Sequence, residues 1–227
     1  MFRRVAAVLG AVALAGCTTP DPIAPSPSPT AAIQKLGYEA VALPSTAYGP
    51  GSLVTSVKGS GFASPLKLTY LCRPDFTNAP PPIIDTAASS EASREFNGTF
   101  KLDATALADL GISAGVSNVE SVTMKFSNVK IEQLAFDDLA TIRSQLGPVC
   151  ADLVESFKKK SIAYQTKGAI RADVVYTANF KRGASAEVKS LVIESLKASF
   201  GGSVQSNSNS SIQGNGLYYG LLLVKVE

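Results

Sequence analysis

Histidine is absent from this sequence of 227 residues, and cysteine occurs three times, at Cys17, Cys72 and Cys150. The missing imidazole removes Ser-His-Asp and Cys-His nucleophilic catalysis, which need it to move the proton. It also removes histidine-based zinc sites. Composition leaves a carboxylate pair or a Ser-Lys pair open, but no spacing along the chain singles out either. A carboxylate-dependent hydrolase is therefore the weakest functional reading, and neither a cofactor nor a metal is expected. What remains is three cysteines, one basic segment and one long amphipathic run. The chemistry of each depends on the element that carries it.

The first element is the N-terminus. Arg3 and Arg4 precede an apolar run from Val5 to Ala15. The run is too short for a bilayer span, which takes roughly 20 apolar residues. A charged start, a short apolar middle and small residues at the end are the layout of a secretory signal. Leu14-Ala15-Gly16-Cys17 resembles the lipobox of bacterial lipoproteins. That resemblance implies cleavage after residue 16 and lipid attachment (diacylglycerol and palmitate) at Cys17. Buried acyl chains contribute about 0.8 kcal/mol per methylene, so more than one chain gives a stable anchor. Thr18 stands after the cysteine in place of Asp, and the same resemblance then implies the periplasmic face of the outer membrane. Residues 17–32 hold Cys17 and Pro20, Pro22, Pro25, Pro27 and Pro29. Such a run reads as an extended tether of about 3.1 Å per residue. Residues 33–227 are left as the folded, periplasmic part.

An exported chain with two further cysteines pairs them as a rule. Cys72 and Cys150 are thus expected to form a disulfide, contributing about 3–5 kcal/mol. An apolar fraction of 45% supports a real core, and the length suits one domain. The net charge of +3 conceals an asymmetry. Residues 158–197 carry nine Lys/Arg against three acids, whereas residues 18–157 carry nine against fourteen. Lys158, Lys159, Lys160, Lys167, Arg171, Lys181 and Arg182 form the candidate basic patch. A patch of this kind attracts anionic lipid or another polyanion, and export argues against nucleic acid. The bland alternative is a set of solvated charges, with Lys158–Lys160 suiting the negative end of a helix.

Alternation marks the strands. The pattern predicts strands over 52–57, 66–72 and 119–134, the last with a bulge near Ser127–Asn128, where the apolar phase slips by one. Residues 73–98, with Pro80–Pro82, read as a long surface loop. Helices are predicted over 136–146, closed by Gly147-Pro148, over 149–158, and over 185–200 with Ser185 as N-cap. Phe136 and Leu191 are placed on buried stripes of the first and last of these. In 168–183, Ile170, Ala172, Val174, Tyr176, Ala178 and Phe180 share one face. Eleven alternating residues are about what a membrane-crossing strand requires, so this is a candidate membrane-contact strand. A half-buried strand of a soluble sheet has the same pattern. Residues 203–216 read as a polar hairpin or exposed edge, and 217–226 as a strand buried on both faces. The expected fold is α+β: one domain with a twisted, mostly antiparallel sheet and several packed helices.

The order of these elements resembles the pore-forming domain of bacterial gasdermins. The resemblance lies in IQKLGYEAVALP at the start, VESVTMKFSNVKIEQL in the middle, and then the basic amphipathic strand, GGSVQSNSN and the apolar strand around Tyr219-Gly220. It implies a twisted sheet with helices and a membrane-inserting activity released by removal of an inhibitory segment. The sequence departs from that pattern in its export signal and in closing at Glu227 after the last strand. The expected function is a lipid-anchored cell-envelope lipoprotein with a non-enzymatic binding or structural role. Its expected partners are the membrane through Cys17, and anionic lipid or a periplasmic protein. A gasdermin-like pore former is the alternative.

Overall fold

The computed structural model describes residues 28–57, 67–73, 76–102, 107, 116–199 and 204–227. The signal segment, Cys17 and the Gly201-Gly202 helix stop lie outside these residues.

Helix α1 (Pro29–Lys35) opens the domain, with Pro29 in its first turn and Ser28 as N-cap, its hydroxyl accepting the Ala31 N–H at 3.1 Å. The last residues of the span expected to be extended are therefore helical. Strands β1 (Glu39–Ser45), β2 (Leu53–Val57) and β3 (Lys67–Cys72) follow. The predicted loop over 73–98 is corrected by the structure: it holds β4 (Ile83–Asp85) and α2 (Thr86–Glu95). The physical cause is an aspartate cap on an alanine-rich run: Asp85 accepts the Ala88 N–H at 2.9 Å, and Ala92 and Phe96 bury the inner side. Next come β5 (Thr99–Leu102), β6 (Val119–Gln133), α3 (Phe136–Ser144), α4 (Pro148–Lys159) and β7 (Ala163–Phe180). The chain ends with α5 (Ala186–Ser199), β8 (Val204–Ser208) and β9 (Ser211–Lys225).

All pairings among the described strands are antiparallel, and three long strands, β6, β7 and β9, run side by side. Short strands line their outer edges: β1 and β8 along β9, β4 and β5 along β6, and β2 followed by β3 at the start of β7. The bulge falls where the alternation slips, between Ser127 and Lys130, with Asn128 in the left-handed region at φ 51°. α+β with a mostly antiparallel sheet and packed helices is the fold.

The main core lies between one face of this sheet and α1, α2 and α5. Alternation on β7 puts Ile170, Ala172, Val174, Tyr176 and Ala178 into it, each at 3% exposure or less. Two expected core residues are outside: Phe136 is 63% exposed and Leu191 52%. Phe136 is the first residue of its helix, and Lys167 sits 5.2 Å over its ring. On α5 the buried stripe is Val192, Ile193 and Leu196. The opposite face carries a smaller cluster around Ala169, Tyr218 and Leu221. Residues 217–221 of β9 are thus buried on both sides.

Gly220 sets the approach of α1. A Cβ there would lie 2.7 Å from Ile33 Cγ2, 3.0 Å from Ile170 Cδ1 and 3.1 Å from Tyr38 Cβ. Overpacking of this kind costs about 2 kcal/mol. Gly220→Ala is expected to lower the melting temperature by roughly 4–8 °C for a chain of this size, as read by circular dichroism.

Candidate functional site

The structure distributes the residues singled out by sequence over three places. Cys72 ends β3 and Cys150 lies in the first turn of α4, and the two are bonded with their Cα atoms 6.0 Å apart. The bridge pins α4 to the edge of the sheet. The apolar side of β7, from Ile170 to Ala178, is inside the main core, and Phe180 is half-buried against it. In this form none of those five residues is offered to a lipid surface.

The basic residues do not converge. Lys158 reaches Glu155 at 3.6 Å, and Lys160 lies 5.5 Å over the Phe157 ring, so this run closes its own helix. Lys181 and Arg182 are exposed beyond the far end of β7. Lys181 lies ten steps along the chain from Arg171, roughly 33 Å at the usual rise.

Arg171 instead enters a polar cluster that joins the three long strands. Glu132 on β6 is 7% exposed. Its Oε1 accepts from Arg171 Nη1 at 3.1 Å and its Oε2 from the Tyr218 hydroxyl at 2.8 Å. Arg171 Nε also donates to the Gly216 carbonyl at 3.4 Å, and the Gly216 N–H donates to Asp173 at 2.6 Å. Asp173 accepts in addition from Asn128 Nδ2, at 2.6 Å, across the β6 bulge. Gly216 holds φ 62°, and a Cβ on it would meet Arg171 Nη2 at 2.6 Å. The Glu132 hydrogen bond holds the Arg171 guanidinium above its ordinary range. A buried carboxylate held by a guanidinium and a phenol is charge-balanced and satisfied. It staples the three long strands together. Sequence reasoning missed Glu132 and Tyr218 as members, because their meeting depends on the register of three strands.

Burial, reinforced by the hydrogen bond to Glu132, pushes the Tyr218 phenol from 10.0 up to about 12. The folded protein therefore keeps a proton that the unfolded chain has lost. This contribution to stability is complete below pH 10 and disappears as the pH rises through about 12, an effect of about 2 kcal/mol. Tyr218→Phe is expected to flatten the fall in unfolding free energy between pH 9 and pH 11.5, read from urea titrations, by about 2 kcal/mol. At neutral pH it should cost about 1 kcal/mol for the lost hydrogen bond.

The third place is a groove of about 560 Å³ between α5 and β8. Its helical wall is the stripe Ala186, Lys189, Ser190, Ile193 and Glu194. Its other wall is residues 206–209, three of them on or beside the free edge of β8. Lys189 Nζ lies 5.8 Å over the Phe180 ring, and Glu194 is held by Lys197 at 3.1 Å. Among the described residues no three His, Cys, Asp or Glu side chains gather as for a metal ion, and no helix is long and apolar enough to cross a membrane.

No family model matches the chain, and no curated protein matches it. Among solved structures it is similar to a bacterial gasdermin from Bradyrhizobium tropiciagri, at 14% identity and a TM-score of 0.40. The alignment covers 87% of this chain and 85% of that one.

Proposed function

We propose that the chain is a lipid-tethered protein of the bacterial cell envelope whose folded domain acts by binding. One observation carries the binding role: the buried Glu132 carboxylate is committed to Arg171 and Tyr218, whereas a groove lined by described residues lies open along a sheet edge. Edges and grooves are where folded domains take partners. The tether follows from Leu14-Ala15-Gly16-Cys17 behind a signal-like start, with Thr18 favouring the outer membrane. Intact mass measurement of the mature protein from bacterial membranes tests the anchor. The expected species begins at Cys17 and carries acyl chains, and an unmodified Cys17 would overturn the tether.

A second reading, a membrane-active protein of the gasdermin kind, draws on strand length. β6, β7 and β9 hold 15, 18 and 15 residues, each beyond the about 9–11 that a membrane-crossing strand needs. In this reading α1, α2 and α5 must leave the sheet before β7 can meet lipid. Dye release from anionic vesicles by the mature chain separates the two readings. The tethered binding domain is expected to leave vesicles sealed. Leakage with ring-shaped oligomers would replace it by the pore former.

A further inference from the structure

The groove has walls of matched length and unlike character. The α5 stripe repeats every three or four residues from Ala186 to Glu194, which on a helix is one face about 12 Å long. The opposing residues Ser206, Asn207, Ser208 and Asn209 are consecutive. Successive side chains of a strand point to opposite faces. A groove lined by all four therefore runs past the edge of the backbone, over about 10 Å. β8 pairs with β9 on one side, and no described strand pairs with it on the other. The ladder skips Asn207, between Ser206↔Ile212 and Ser208↔Ser211. An open edge of this kind offers its N–H and C=O groups to an incoming chain. Charges or proline on the strand are the usual guards, and VQSNS has neither. The helix alongside turns the edge into a groove with α5 as its second wall.

The chemistry of the walls narrows the occupant. Ser190 and Ser206 supply hydroxyls, Asn207 and Asn209 supply amides, and the Ser208 hydroxyl is held by Ser211 at 2.7 Å. Among the described residues no aromatic ring lines the groove, so a sugar face finds no described ring to stack on. The Glu194 carboxylate is already neutralised by Lys197. Lys189 faces the groove with no carboxylate in ion-pair range among the described residues. We propose that this groove captures an extended, acidic peptide segment, which adds to β8 as a further strand and sets one carboxylate against Lys189. This rests on the binding role proposed above and names the class of partner.

The test uses the full mature chain and a positional-scanning pool of blocked hexapeptides, read by fluorescence anisotropy. Saturable binding is expected, with acidic residues preferred at one position. Lys189→Glu should weaken the best acidic peptide by roughly tenfold or more, as for loss of one charge-assisted hydrogen bond, and should favour its lysine-substituted counterpart. N-methylation of alternate peptide amides should abolish binding, since strand addition depends on them. Lys189 is on the surface of α5, so the variant is expected to fold, with an unchanged melting temperature as the check. No saturable binding, or binding indifferent to both Lys189→Glu and N-methylation, would overturn the proposal. Capture of an oligosaccharide pool at the same groove would also overturn it while leaving the binding role standing. The outcome is independent of the lipid mass and of vesicle leakage.

Discussion

Phe126→Ala is expected to cost about 3–5 kcal/mol, the range for emptying an aromatic site in a closed core. Phe126 is the hub of four rings. It lies 4.9 Å from Phe96 and 5.4 Å from Phe100, each edge-on, and 4.9 Å from Tyr219. Phe96 and Phe100 close the triangle at 5.9 Å. The four come from β6, β5, β9 and the residue that follows α2. Removing the hub thus opens the joint between the sheet and its helical cover. Tyr219 also donates to or accepts from Tyr176 at 3.1 Å inside the core. A void beside it loosens this buried polar contact. With a urea slope of about 2 kcal/mol per molar, the midpoint should fall by roughly 1.5–2.5 M. Phe126→Leu, which keeps most of the volume, should fall by less than half as much. A smaller effect for alanine than for leucine would mean that the ring cluster is not where the helices are held.

The second large effect is expected from the disulfide. Cys72 and Cys150 are 78 residues apart in sequence. Closing a loop of that length restricts the unfolded chain by about 4–5 kcal/mol in the chain-entropy treatment. Its local meaning comes from α4. Val149 is 82% exposed and Leu153 38%, while Val154 is 5% exposed. The helix therefore rests on the sheet through a narrow apolar contact, Val154 with part of Phe157, plus the bridge. The double replacement Cys72→Ala, Cys150→Ala should lower the urea midpoint by about 2 M. In hydrogen exchange the loss of protection should be largest in α4 and β3. A uniform loss across β6, β7 and β9 would show that the bridge acts on the unfolded chain alone.

What could be read from sequence was whatever depends on local periodicity. Val122, Met124 and Phe126 alternate, the phase slips at Asn128, and the ladder slips there as well. The same pattern located the apolar face of β7, because a strand of period two carries its own register. Failures occurred where a local signal was outweighed. Three prolines at 80–82 made the following run look irregular, although Asp85 caps a helix and Ala92 buries it. The polar run 203–216 reads as a hairpin or an exposed edge, and β8 and the start of β9 form that hairpin, although serine, asparagine and glycine have weak strand preference. The Glu132–Arg171–Tyr218 cluster was out of reach for another reason. Its members are unremarkable one by one, and only the pairing of Lys130 with Arg171 and of Arg171 with Tyr218 brings them together. The α5–β8 groove is likewise a product of packing, and in sequence Lys189 is one more member of a basic segment.

The position of β9 has a consequence in time. Glu39, near the start of the domain, faces Leu221, near the last residues. Among the described strands β1 pairs with β9 alone, and α1 packs on Gly220. While the chain is being made, β1 has no described strand to pair with until β9 emerges. Closure of such distant contacts is slow. The order of delivery therefore keeps the N-terminal elements open until β9 has emerged.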